Sequence, residues 1–165
     1  YGMQEGCMEE DVTLAKPIMA YPQAKLALYE WLCREYPEIH LVWLRLFYMY
    51  GKGQSEKSLI PQLEKAIREK KEFFEMSPGD QIRDYLPVEE MAQMIVKVSL
   101  NEHAEGIYNI CSGKPIRIID LVKEYLRKKN VSMKLKTGVY PYPDYEPFAF
   151  WGSRKKLDKI LESSG

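Results

Sequence analysis

Between Tyr21 and Tyr36 the apolar residues Ala24, Ala27, Leu28, Trp31 and Leu32 recur at close to 3.6-residue spacing, which predicts a helix. Pro22 suits its first turn, where no helical donor is lost, and Pro37 ends it. The run from His40 to Tyr50, HLVWLRLFYMY, is almost continuously apolar and predicts a strand covered on both faces, as in a parallel sheet. After a polar loop over Gly51 to Lys57, helical spacing resumes from Leu59 to Lys71 through Leu63, Ala66 and Ile67. Phe73 to Met76 reads as a short strand, Ser77 to Asp80 as a tight turn and Gln81 to Pro87 as the next extended piece.

The same reading predicts a helix over Val88 to Leu100, with Met91, Met94, Ile95 and Val98 on one side, and a strand over Gly106 to Cys111. A turn at Ser112 to Lys114 leads to a helix over Ile118 to Lys129. Val131 to Lys136 alternates as a half-exposed strand does. Tyr140 to Trp151, with three prolines and six aromatics, is expected to hold no regular element, and Ser153 to cap a last helix through Leu161. Helices alternating with short strands define an α/β protein.

Composition narrows the function classes. The 24 basic and 24 acidic side chains of the 165-residue sequence cancel, which argues against nucleic acid as the main partner, because binding by counterion release needs a basic surplus. No apolar stretch approaches the roughly 20 residues of a membrane span. Cys7, Cys33 and Cys111 are odd in number and widely spaced, and His40 and His103 are the only histidines. Neither a disulfide framework nor a metal site is expected, and a reducing cytoplasm fits. The sequence contains no GxGxxG and no GxxxxGK[ST], so no phosphate-cradling loop can be placed.

Tyr21 and Lys25 stand one helical turn apart on the first predicted helix. A cation at that spacing favours the phenolate form of a group used in general acid–base chemistry. Spacing alone does not select the pair, since Tyr48/Lys52 and Tyr125/Lys129 share it.

Wider context does. PIMAYPQAK followed by LRLFYMYGKGQ resembles the PxxxYxxxK helix and RxFNxYGPG strand of nucleotide-sugar epimerases and dehydratases, a branch of the extended short-chain dehydrogenase/reductase family. Arg45, Phe47, Tyr50, Gly51 and Gly53 match; Tyr48 replaces the usual Asn and Lys52 the usual Pro. Pro61, Gly79, Gln81, Arg83, Asp84, Tyr85, Val88, Glu90 and Ala92 fall in order into that family's IPxxI helix and GxGxQxRDYxxVxDxA segment. GIYNICSGKPIRIIDL resembles its GxYNIGSGxxxSIxEL, and DYEPFAFWGSRKKLDKIL its closing segment, with Glu146 at the acidic position.

The resemblance implies the C-terminal part of a Rossmann-type doubly wound parallel sheet plus a small mixed α/β substrate-binding domain. Residues 1–53 would be the last part of the dinucleotide-binding domain, and 54–165 mainly the substrate domain, with some segments returning to the sheet. Tyr21 and Lys25 would be catalytic and contact NAD or NADP, with Phe47 and Tyr48 at the cofactor side. Ser58, Leu59, Arg83 and Glu146 would hold a nucleotide-diphosphate sugar: Arg83 the diphosphate, Glu146 a ribose hydroxyl. A homodimer through the YxxxK helix is expected. Tyr1-Gly2 resembles a pair that follows the catalytic Ser/Thr, so a glycine-rich upstream half is expected to precede this chain, which alone would not turn over substrate. The competing expectation is a non-catalytic relative acting as a binding module.

Overall fold

The computed structural model describes residues 1–162. Chain order is β1 (Gly6–Met8), α1 (Ala20–Glu35), β2 (Val42–Leu46), β3 (Tyr48–Tyr50), α2 (Leu59–Arg68), β4 (Phe73–Glu75), β5 (Ile82–Arg83) and β6 (Tyr85–Pro87). There follow α3 (Val88–Ser99), β7 (Gly106–Ile110), β8 (Ile116–Arg117), α4 (Ile118–Lys128), β9 (Lys134–Lys136), β10 (Phe150–Gly152) and α5 (Lys155–Glu162).

The strands associate in pairs, and the pairing is mostly parallel: β1 with β10, β2 with β7, β3 with β6 and β4 with β9, while β5 and β8 run antiparallel. Parallel partners must be joined by crossovers. Thus α2 and α3 both lie in sequence between β2 and β7, and the α/β architecture expected from the sequence is the one the chain has.

Three apolar clusters hold these pairs. Leu86, Met91, Val98, Tyr108, Ile110 and Leu157 join α3, α5 and the ends of β6 and β7. Leu63, Ala66, Phe74, Met76, Val122 and Leu126 join α2, β4 and α4. Met8, Phe47 and Cys111 form the third, with Phe150 against it. Gly152 is needed there because a Cβ would lie 2.5 Å from Cys111 Sγ and 3.0 Å from Phe47 Cζ.

Two buried polar residues tie the clusters together. Asp84 is fully buried; its Oδ1 accepts from Ser112 N at 2.7 Å, and its Oδ2 from Gly113 N at 2.9 Å and Gly152 N at 3.3 Å. Asn109 donates from Nδ2 to Met8 O at 2.9 Å and accepts from the Tyr1 hydroxyl at 2.8 Å, while its backbone N–H donates to Glu10. A buried carboxylate with three backbone donors is a satisfied charge, and it fixes the β7–β8 turn against β10.

Several elements differ from the sequence expectation. The run from His40 to Tyr50 breaks at Phe47 into β2 and β3, which pair with different partners, β7 and β6. Its residues are mostly half-buried, not covered on both faces. Trp151, assigned to an irregular stretch, lies in β10, because parallel register with Cys7 overrides a proline-rich local sequence. Only Lys134–Lys136 of the expected Val131–Lys136 strand is extended. β1 and β8, too short to show a period, have no signal in the pattern.

Candidate active site

Helix α1 carries the YxxxK pair at its start. Its residues are all at least partly exposed, and Leu28 and Trp31 present apolar surface; the Tyr29 ring packs on Trp43 of β2 at 5.2 Å between centroids. Lys25 Nζ sits 4.4 Å from the centre of the Tyr21 ring, so the one-turn spacing does bring ammonium and phenol together. Tyr21 is 71% exposed. Among the described residues neither the Tyr21 hydroxyl nor the Lys25 ammonium has a hydrogen-bond partner, which leaves both polar ends open to a ligand.

A cavity of about 230 Å³ opens between the segment leading into α1 and the one leading into β10; Tyr1, Pro17, Pro22, Tyr48, Glu146 and Phe150 are among its walls, and Tyr21 and Lys25 are not. Gly2, also in the wall, has φ +72°, and a Cβ on it would fall 1.9 Å from Lys16 O. Only glycine lets the chain cross Lys16 this closely.

The far wall is aromatic. Phe47 is buried and stacks on Phe150 at 4.8 Å with the rings 15° from parallel. Its side chain therefore lies in the packing behind the cavity. Tyr48 meets Phe150 edge-on at 6.4 Å and Tyr85 at 5.4 Å. Burial, and then the Glu146 carboxylate, raise the Tyr48 phenol above its ordinary range, with Arg83 pulling the other way. Burial, with Tyr48 adding to it, pushes Tyr85 up to about 12.

Arg83 lies beneath Tyr48, its guanidinium carbon 5.6 Å from the ring centre. It is 1% exposed. Nη1 donates to Ile82 O at 2.9 Å and Phe148 O at 3.0 Å, and Nη2 donates to Glu146 Oε2 at 2.9 Å. Asp84, its neighbour in sequence, is not its partner: that carboxylate is spent on backbone donors. Arg83 and Glu146, 63 residues apart in sequence, are thus joined directly.

Ser58 and Leu59 start α2. The Ser58 hydroxyl makes no cap hydrogen bond, and Leu59 packs on the α2–β4–α4 cluster. No described contact joins them to Arg83 or Glu146. Sequence reasoning missed the cavity walls at Met19, Tyr145, Pro147 and Phe150; the aromatic and proline density of YPYPDYEPFAFW was the available signal. Among the described residues no three His, Cys, Asp or Glu side chains cluster to hold a metal ion, and no helix is long and apolar enough to cross a membrane.

The fold belongs to a known class. The family model described as the NAD dependent epimerase/dehydratase family matches residues 1–111, and the chain belongs to that family. Among curated relatives it is 30% identical over 118 residues to dTDP-6-deoxy-L-talose 4-dehydrogenase (NAD(+)) of Aggregatibacter actinomycetemcomitans, a match covering 72% of this chain and 43% of that protein. The fold is similar to UDP-glucuronic acid 4-epimerase of Bacillus cereus, solved with UDP-glucuronic acid and NAD (TM-score 0.81, 24% identity, 98% of this chain and 52% of that one). It is also similar to UDP-N-acetylglucosamine 4-epimerase of Methanobrevibacter ruminantium (TM-score 0.82, 23% identity, 97% and 53%). The chain spans about half the length of the relatives it matches.

Proposed function

We propose that the full-length protein is an NAD(P)-dependent nucleotide-sugar epimerase, dehydratase or 4-ketoreductase, and that residues 1–165 carry its acid–base pair and most of its sugar-nucleotide site. The observation that carries this reading is the contact between Lys25 and Tyr21 at the exposed start of α1, in a chain of the epimerase/dehydratase family. NAD or NADP, when bound, supplies the hydride acceptor and donor. Tyr21 exchanges a proton with the sugar hydroxyl or ketone, and Lys25 stabilises the phenolate and holds the cofactor ribose. The fit rests on two polar groups that have no other use among the described residues.

Residues 1–53 belong to the dinucleotide-binding domain and 54–165 mainly to the substrate domain. Strands β6 and β7 return to pair with β3 and β2, which supports a boundary crossed by sheet contacts. A glycine-rich half upstream completes the cofactor site, with Tyr48 and the packing of Phe47 backing it from this side.

The nucleotide sugar runs from the cavity past Arg83 and Glu146 toward Ser58 and Leu59, where the first backbone N–H groups of α2 suit an anion. Arg83 reads the diphosphate, which requires the Glu146 carboxylate to turn from Nη2 toward the ribose. Leu28 and Trp31, exposed on α1, support a homodimer through that helix, and the three free cysteines support a reducing cytoplasm.

The test is Tyr21→Phe in the full-length protein. Turnover falls by about 10²–10⁴-fold, the usual worth of a positioned acid–base, while cofactor binding by fluorescence is retained. Unchanged turnover removes Tyr21 from the role.

A further inference from the structure

We infer that Tyr48 is a specificity-determining residue that acts through Arg83: its ring closes the face of the guanidinium, so that Arg83 answers only an anion able to take the place of Glu146, and free phosphates in solution do not reach it. The inference rests on the nucleotide-sugar reading for the use of Arg83, and adds how Arg83 is reached.

Where the motif this chain resembles carries Asn, the chain has Tyr48, so a ring stands in place of a small amide. Strand β3 runs parallel to β6 with Tyr48 in register with Tyr85. Arg83 precedes Tyr85 by two residues in an extended stretch, and alternation puts the two on one face. The ring paired with Tyr85 therefore comes to lie over Arg83, whose guanidinium carbon is 5.6 Å from the Tyr48 ring centre. Tyr85 at 5.4 Å and Phe150, edge-on at 6.4 Å, hold the Tyr48 ring in place.

Both Tyr48 and Glu146 line the cavity, and Arg83 does not. Its Nη1 is committed to Ile82 O and Phe148 O, and its Nη2 donates to Glu146. From the cavity, the guanidinium is thus screened by a ring and by a carboxylate. The two covers differ in kind. Glu146 keeps a third of its side chain in contact with solvent, and another anion can exchange for it on Nη2. The Tyr48 ring is wedged between aromatic neighbours, and an anion approaching it meets the negative face of a π-system and loses water without gaining a donor. The carboxylate exchanges; the ring excludes.

Arg45 is a second cation beside the cavity. Its guanidinium carbon lies 4.6 Å from the centre of the ring of Tyr1, a lining residue, and its Nη1 is buried with no partner among the described residues. A test of the cover over Arg83 therefore has to separate the two arginines.

The experiment is titration calorimetry of the full-length protein with inorganic pyrophosphate, which carries a diphosphate's charge and neither sugar nor base. Native protein and Tyr48→Phe, which keeps the ring, are expected to bind it weakly and within about threefold of each other. Tyr48→Asn and Tyr48→Val, which remove the ring, are expected to bind it at least about tenfold more tightly, the worth of one hydrogen bond to a charged group. Val is included because a β-branched side chain suits strand β3 and brings no donor of its own. Adding Arg83→Gln should abolish the gain, and adding Arg45→Gln should leave it. No gain in a ring-less variant that keeps the native near-UV circular dichroism overturns the inference, as does a gain that is lost with Arg45 and not with Arg83. Loss of that signal in both ring-less variants makes Tyr48 a packing residue and overturns it as well. Titration of the native protein with UDP-, dTDP-, GDP- and CDP-sugars judges the nucleotide-sugar reading separately: if none binds while the ring-less variants behave as expected, that reading falls and the cover over Arg83 stands.

Discussion

The Arg83 guanidinium donates to the Glu146 carboxylate at 2.9 Å while almost wholly buried, and Glu146 itself keeps a third of its side chain in contact with solvent. A sealed cation is thus covered by an anion that can leave. If Arg83 reads a diphosphate as proposed, Glu146 occupies the position a phosphate oxygen would take, and a diphosphate is expected to compete with it.

Replacing Glu146 by Gln should therefore separate two effects. Stability falls by about 1–3 kcal/mol, because a charge-assisted bond to a buried guanidinium becomes a neutral one. Inorganic pyrophosphate, which has no ribose for Glu146 to bind, should stabilise the Glu146→Gln protein against heat more than it does the native protein. An equal or smaller effect would show that Glu146 does not compete for Arg83.

Asp84→Asn tests the clamp between β6, the β7–β8 turn and β10. An amide offers one acceptor oxygen where the carboxylate used two, so at least one of the Ser112, Gly113 and Gly152 donors loses a charged partner. A loss of about 2–4 kcal/mol is expected, read as a lower denaturant midpoint with unchanged slope. A loss within ~0.5 kcal/mol, the range of surface substitutions, would mean the clamp is dispensable.

Gly152→Ala should cost about 1–3 kcal/mol by overpacking, since its methyl meets Cys111 Sγ and Cβ at 2.5 and 2.8 Å. Adding Cys111→Ala removes the sulfur but not the Cβ, so the double mutant recovers part of the loss. Additive destabilisation would place the strain elsewhere.

Tyr85 gives a pH prediction. Its phenol titrates at about 12 in the folded protein, chiefly through burial, against about 10 in the unfolded chain. The neutral form is the one the fold favours, so its contribution is complete below about pH 10 and is lost as pH rises toward 12. Absorbance titration of the tyrosines should show a late-ionising phenol that is missing in Tyr85→Phe, and alkaline unfolding of that variant should be less steep between pH 10 and 12. An unchanged late phase in Tyr85→Phe would refute the assignment.

How far the sequence carried depended on the range of the interactions involved. Helices α1 to α4 were legible from their periods because a helix's apolar stripe is local information, and Tyr21/Lys25 met as one-turn spacing requires. Arg83 and Glu146 could each be picked out by motif, yet their pairing is a tertiary fact across a long separation and left no local trace. Asp84 and Asn109 stood inside the same motifs, but Asp84 is held by backbone donors and Asn109 by Met8 O, Tyr1 and Glu10, about a hundred residues away, which no local pattern displays. Trp151 fell to the same limit: three prolines nearby argued for irregularity, and a parallel partner at Cys7 decided for strand.

The register of Gly6 with Phe150 has a consequence for the order of events during synthesis. One wall of the cavity is made from the first residues of this chain and another from residues translated well over a hundred codons later. The strand pairing that closes it has the longest sequence separation of the strand pairs described, the kind of contact that forms slowly because its loop-closure entropy is met last. On the ribosome, α2, α3 and α4 can pack while β1 still waits for a partner. The cavity, and with it the aromatic wall behind Tyr48, is therefore complete only once the segment carrying Tyr145 to Phe150 has been made.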